Sequence, residues 1–198
     1  MRLRILFILL LCTFLFVSCK QEAKETKKTK ETLEQPKTET SSKPSKKVLS
    51  PHTSTMAMIG DAHIHIDYSS PGVRDRIIFG GLLAYDKVWQ AGAHMATWIE
   101  TNKGLIIQGQ ELPKGKYGFF TIPSKDEWTI IFNSNWNQHG KDDYDEKDDI
   151  LRFKVKPAIS DNIKEHLEYK VSKISNDEGS ISLAWEKVTV SFDFKVKE

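Results

Sequence analysis

Residues 181–196 read ISLAWEKVTVSFDFKV, and this stretch decides the fold. Ile181, Leu183 and Trp185 recur at every second position. Val188, Val190, Phe192, Phe194 and Val196 do the same in the opposite phase. Alternation of period two marks a strand with one face against a core. The slip of phase at Glu186-Lys187 predicts a bulge or a tight turn there. The same alternation recurs upstream. Ile64, Ile66 and Tyr68 share one strand face while His63, His65 and Asp67 share the other, and Leu151, Phe153 and Val155 alternate with Arg152, Lys154 and Lys156. Trp98-Ile99, Leu105–Ile107, Tyr117–Ile122, Trp128–Phe132 and Leu167–Val171 read as further strands.

The punctuation agrees. Asn102-Lys103-Gly104 and Asn176–Gly179 carry hairpin signals, and Leu112-Pro113-Lys114-Gly115 is a turn feeding a strand. Asn133–Asp149 is a longer polar loop, and Ser160–Leu167 has room for one or two helical turns. Eight to ten short strands with turn signals predict a mostly β domain. The expected form is an antiparallel β-sandwich or partly closed barrel with one long irregular arm.

Composition bounds the rest. The 198 residues include 29 Lys+Arg and 27 Asp+Glu, unevenly spread. Residues 20–50 hold nine Lys and five Glu, whereas residues 51–198 hold 18 basic and 22 acidic side chains. A mildly acidic domain behind a basic tail argues against nucleic-acid binding. Both cysteines, Cys12 and Cys19, stand near the N-terminus, so the domain has no disulfide, cysteine zinc site or cysteine nucleophile.

The N-terminus reads as a targeting signal. Arg2 and Arg4 precede the apolar run Ile5–Val17, which is shorter than the ~20 residues of a membrane span. Phe16-Val17-Ser18-Cys19 resembles a bacterial lipobox. That resemblance implies a signal peptide over 1–18, cleavage before Cys19, and lipid on its sulfur and its new amino terminus. Several acyl chains hold a protein to a membrane without a spanning helix. Residues 19–47, with only Ala23 and Leu33 as aliphatic side chains, form the expected disordered tether to a single domain over 48–198.

The segment 69–96, SSPGVRDRIIFGGLLAYDKVWQAGAHMA, lacks clean alternation. A long irregular connection inside a compact domain is usually functional. With Asp67-Tyr68 before it, its run Ser69-Ser70-Pro71, Arg76, Ile78-Phe79-Gly80, Tyr85, Lys87-Val88-Trp89 and Gly92-Ala93 resembles the domain of unknown function 2911 family. So do Leu112-Pro113, Phe120-Thr121-Ile122-Pro123, Trp128-Thr129 and Trp185-Glu186-Lys187. The chain departs from that pattern at Ser70 and at Arg74-Asp75. The resemblance spans Ser50 to the C-terminus. It implies a secreted or lipid-anchored envelope protein and carries no activity with it.

Candidate chemistry is sparse. His63 and His65 share a strand face, and with His94 they are the residues that could ligate zinc, which in catalytic sites has three protein ligands and an open position. The acidic run Asp142–Asp149 lacks the glycine and spacing of an EF-hand. No G-x-S-x-G elbow or phosphate-cradling glycine loop is present. Loops on a rigid scaffold are favoured binding sites, so Tyr68, Arg74, Arg76, Tyr85, Trp89 and His94 are the candidate ligand contacts. Trp89 and Trp136 lie in irregular segments flanked by polar residues, where an exposed ring could stack on a sugar or peptide.

These readings favour a non-catalytic ligand-binding or structural β domain. The alternative is a metal-dependent or other hydrolase using His63, His65 and His94. The expected partners are a membrane, through lipidated Cys19, and an unknown small molecule, glycan or envelope protein. No cofactor is expected beyond that alternative's zinc. The expected location is the bacterial cell envelope, at the outer membrane or periplasmic face.

Overall fold

The computed structural model describes residues 48–197. The expected signal peptide, the expected lipid-attachment residue Cys19 and the expected tether lie outside the described residues. Ten strands form two antiparallel sheets packed face to face. They are β1 (His52–Ile59), β2 (Ala62–Ser69), β3 (Trp98–Thr101), β4 (Leu105–Ile107), β5 (Gln110–Leu112), β6 (Gly115–Ile122), β7 (Trp128–Asn133), β8 (Asp149–Val155), β9 (Ala158–Lys173) and β10 (Glu178–Val196). One sheet has the order β1-β2-β3-β6-β7-β8 and the other β5-β4-β10-β9. This is a sandwich, not a closed barrel.

Alternation places the core. Ile64, Ile66, Ile99, Phe119, Ile130 and Phe132 face inward from the six-stranded sheet, all buried. Leu183, Trp185, Phe192 and Phe194 face them from β10. The two layers meet ring to ring: Phe192 stacks on Phe119 at 6.3 Å and meets Phe153 edge-on at 5.1 Å. Edge-on and offset ring pairs add to what burial alone contributes.

The phase slip in β10 is a bulge. The register with β9 shifts on both sides of Glu186, whose φ is +54°. One residue in left-handed conformation turns Val190, Phe192, Phe194 and Val196 back to the face already used by Ile181, Leu183 and Trp185. On β9 the disruption is larger. Lys164 opposes Glu186 and Ile159 opposes Val188, so Ser160–Ile163 are looped out.

Two local expectations are corrected here. Asn102-Lys103-Gly104 is not a hairpin turn. It joins β3 of one sheet to β4 of the other, because β3 pairs with β2 and β6 while β4 pairs with β5 and β10. Ser160–Leu167 is not helical. It lies within β9: Lys164 opposes Glu186 of β10, Glu165 and Leu167 hydrogen-bond to the arm at Val73 and Pro71, and Ile163 stays exposed. Asn176–Gly179 does turn the β9–β10 hairpin, with the Ile174 N–H donating to the Glu178 carbonyl at 2.9 Å.

The bulge makes a prediction. Deleting Glu186 forces Phe192 and Phe194 toward solvent, so the deletion variant should show no cooperative thermal melt. Glu186→Gly keeps the bulge and relieves a left-handed strain of about 1–2 kcal/mol against a similar loss of chain entropy. Its melt should stay within about 1 kcal/mol of the parent, read by circular dichroism.

Candidate functional site

The irregular arm that follows β2 proves to be architecture. Its first residues lie along β9: Leu167 N–H donates to the Pro71 carbonyl, and Val73 N–H to the Glu165 carbonyl. Arg74 and Asp75 then turn the chain with positive φ, and Arg76 closes the turn by donating to the Val73 and Gly72 carbonyls. The Arg76 guanidinium is thus engaged by its own backbone, while Arg74 points to solvent.

Beyond that turn the arm enters the core. Phe79, 5% exposed, meets Trp128 at 4.8 Å and Trp185 at 6.1 Å, both edge-on. Trp89, 4% exposed, stacks on Trp185 at 5.7 Å and donates its indole N–H to the Gly92 carbonyl. Its backbone exchanges two hydrogen bonds with Thr121. Trp89 is therefore a buried wedge, and the expectation of an exposed stacking ring there is corrected. Tyr85 packs against Gly80, where φ is +85° and a Cβ would meet the ring at 2.6 Å. Tyr68 is buried edge-on to Tyr169 at 4.7 Å, and its hydroxyl accepts the Tyr169 N–H. Burial pushes the hydroxyl pKa of both tyrosines above the usual range. His94 is exposed in a left-handed turn, with its carbonyl accepting the Gly140 N–H. Of the six candidates, Tyr68 borders one pocket and Trp89 a different one.

The outer face of the six-stranded sheet carries a better-assembled group. Register brings His65 opposite Met56 and Glu100, and Asp67 opposite Ser54 and Trp98. Glu100 opposes Lys116, and Trp98 opposes Gly118. Gly118 matters because a Cβ there would lie 3.0 Å from the Asn135 carbonyl oxygen and 3.2 Å from the Trp136 Cα. Without a side chain, β6 lets the loop after β7 cross close above it. Trp136 then stands beside Trp98, ring centroids 6.4 Å apart. The Lys116 ammonium fills the corner, 3.4 Å from the Trp98 centroid and 3.9 Å from that of Trp136. Cation–π contacts of this kind hold all three side chains in place. His65 meets Trp98 edge-on at 4.9 Å, and its Nε2 is buried without a partner.

Next to this corner, His52 on β1 places Nε2 2.9 Å from Asp67 Oδ1. A pocket of about 170 Å³ lies between the two groups, walled by His52, Asp67, Ser69, Met95, Trp98, Trp136 and Asn137, with Tyr68 and Ala96 beneath.

The loop that delivers Trp136 is held by buried polar groups. Asn133, fully buried, donates to the Asp145 carbonyl and to Asp149 Oδ1, and accepts the Asn135 N–H. Gln138 donates to the Asn135 carbonyl and accepts the Asp143 N–H. The Tyr144 hydroxyl donates to Asp149 Oδ2 at 2.9 Å, and its ring packs on Phe120. Burial raises the pKa of both Asp149 and Tyr144, and Arg152, 3.3 Å from the Asp149 carboxylate, opposes part of that shift for Asp149. The acidic run thus contributes a fastening to β8.

The three histidines considered for zinc do not converge. His63 and His65 are neighbours, with ring centroids 6.1 Å apart, but His94 sits in the arm's left-handed turn against Gly140. Among the described residues no group of three or more His, Cys, Asp and Glu is placed to hold a metal ion. Sequence reading missed two features of the outer face. One is Lys116, which looks like any outward lysine of a strand. The other is the His52–Asp67 pair, which only the β1–β2 register brings together.

Buried and exposed residues of the arm separate in a mutational test. Trp89→Ala should cost roughly 3–5 kcal/mol in thermal or denaturant melts, as for other emptied aromatic core positions. Arg74→Ala, an exposed change, should stay within about 0.5 kcal/mol.

Residues 50–194 match the family model described as protein of unknown function (DUF2911). No curated protein and no solved structure matches the chain. The match covers most of the chain and nearly all of the sandwich, and the chain belongs to the DUF2911 family.

Proposed function

We propose that this chain is a lipid-anchored protein of the bacterial cell envelope whose β domain binds a ligand on the outer face of its six-stranded sheet. The observation that carries the reading is the corner formed by Trp98, Lys116 and Trp136 beside the His52–Asp67 pair. Half-exposed tryptophans fixed by a cation, with polar side chains converging on a concave space, are the features of a preorganised binding site. The arm, which the sequence favoured as the site, spends its rings on the core instead.

A binding role suits the polar groups better than hydrolysis does. His52 is held by Asp67, and among the described residues no hydroxyl is hydrogen-bonded to its ring. The histidine set of the metal-dependent alternative is not gathered.

Anchoring rests on Phe16-Val17-Ser18-Cys19 and on the polar stretch that follows. Among the described residues no helix is long and apolar enough to cross a membrane. Cys19→Ala should abolish lipid labelling and release the protein from the membrane fraction. Retention after a carbonate wash would refute the anchor.

The binding face has its own test. In NMR spectra, soluble fragments of digested cell envelope should shift the indole N–H signals of Trp98 and Trp136 ahead of those of Trp89, Trp128 and Trp185. Shifts confined to the buried three, or none at all, would remove the site from this face.

A further inference from the structure

The chemistry of the outer-face pocket narrows the class of ligand, and we propose that it takes one pyranose ring of a neutral envelope glycan. This assignment rests on the binding reading above. The pocket, about 170 Å³, is smaller than the roughly 300–1,000 Å³ of sites for drug-sized molecules, so it suits one ring-sized unit. Its walls are of two kinds. Trp98 and Trp136 present indole surface, while His52, Asp67, Ser69 and Asn137 present donors and acceptors. A pyranose divides in the same way, with an apolar C–H face and a rim of hydroxyls. The C–H face matches an indole, and the hydroxyls match the polar wall.

Other occupants fit less well. An acyl chain or an apolar peptide side chain would leave the four polar groups without partners, and a desolvated polar group left unpaired is costly. A cation would be drawn to the rings, but the Lys116 ammonium already lies 3.4 and 3.9 Å from their centroids and would repel it. An anion would meet the Asp67 carboxylate. A neutral, hydroxyl-rich ring avoids all three conflicts. Lys116 contributes by fixing both indoles before the ligand arrives, which lowers the ordering cost of binding. The sheet surface next to the pocket, with Met56, Met58 and Glu100 exposed, leaves room for the rest of a chain of sugars.

The test uses the full chain carrying Cys19→Ala and follows the Trp98 and Trp136 indole N–H signals by NMR. The probes are methyl pyranosides and their tetramers, with choline and an alanine tripeptide alongside. Saccharides should shift both signals saturably, and a tetramer should bind more tightly than its monomer. Trp136→Ala should weaken that binding at least tenfold without moving the thermal melt. If Trp136→Ala unfolds the domain, Asp67→Asn and His52→Ala take its place and should weaken binding by a similar factor. Shifts from choline or the tripeptide with none from any saccharide would overturn the glycan assignment and leave the binding face standing. Silence from every saccharide would overturn it as well, and the envelope digest described above then decides whether the face binds at all.

Discussion

The ring of Phe79, wedged among Trp89, Trp128 and Trp185, joins the two sheets through a segment that belongs to neither. Trp128 comes from the six-stranded sheet, Trp185 from the four-stranded one, and Phe79 and Trp89 from the arm. Because Trp89 stacks on Trp185 and its backbone pairs with Thr121 of β6, residues 90–97 start from a fixed point on the sheet. Those residues fix the next segment in turn. Ala96 N–H donates to the Gln138 carbonyl, and Gly140 N–H donates to the His94 carbonyl. The loop carrying Trp136 is therefore tied, through Trp89 and the Ala96–Gln138 and Gly140–His94 hydrogen bonds, to a cluster buried on the opposite side of the sheet.

Such an arrangement separates stability from recognition in space. The inner face of the six-stranded sheet carries the large apolar side chains. The outer face is covered over one part by Phe120, Ile131, Ala96 and Tyr144, and open over the part that holds Trp98 and the two β2 histidines. Gly118 stands at the border. It gives up a side chain so that backbone can approach, and the approach creates the pocket wall. Changes in the arm act on the site through folding, whereas changes at Trp136 or His52 act on it directly.

Much of the sandwich was legible in the sequence because alternation reports burial one residue at a time. Ile64 and Ile66 against His63 and His65 gave both faces of β2 correctly, and the phase slip at Glu186-Lys187 gave the bulge. Sheet membership was not legible. Asn102-Lys103-Gly104 has the composition of a hairpin turn, and only long-range pairing shows that it crosses between sheets. The two tryptophans in irregular segments looked alike for the same reason. Trp89 and Trp136 both have polar neighbours in sequence, yet one is stacked on Trp185 and the other on a lysine. His52 and Asp67 belong to one hairpin turned at Gly60-Asp61, and their pairing follows from its register, which is missed unless His52–Ile59 is read as a strand.

β10 lies between β4 and β9, crosses the whole smaller sheet, and supplies Trp185 to the cluster around Phe79. It is also the last strand of the described residues. Until it arrives, β4–β5 and β9 have no common partner, Phe79 has lost one wall of its cage, and the larger sheet has nothing to cover its apolar face. Contacts between distant parts of a chain close late and slowly. A chain made or threaded N-terminus first would therefore leave the sandwich open until this strand is free to pair.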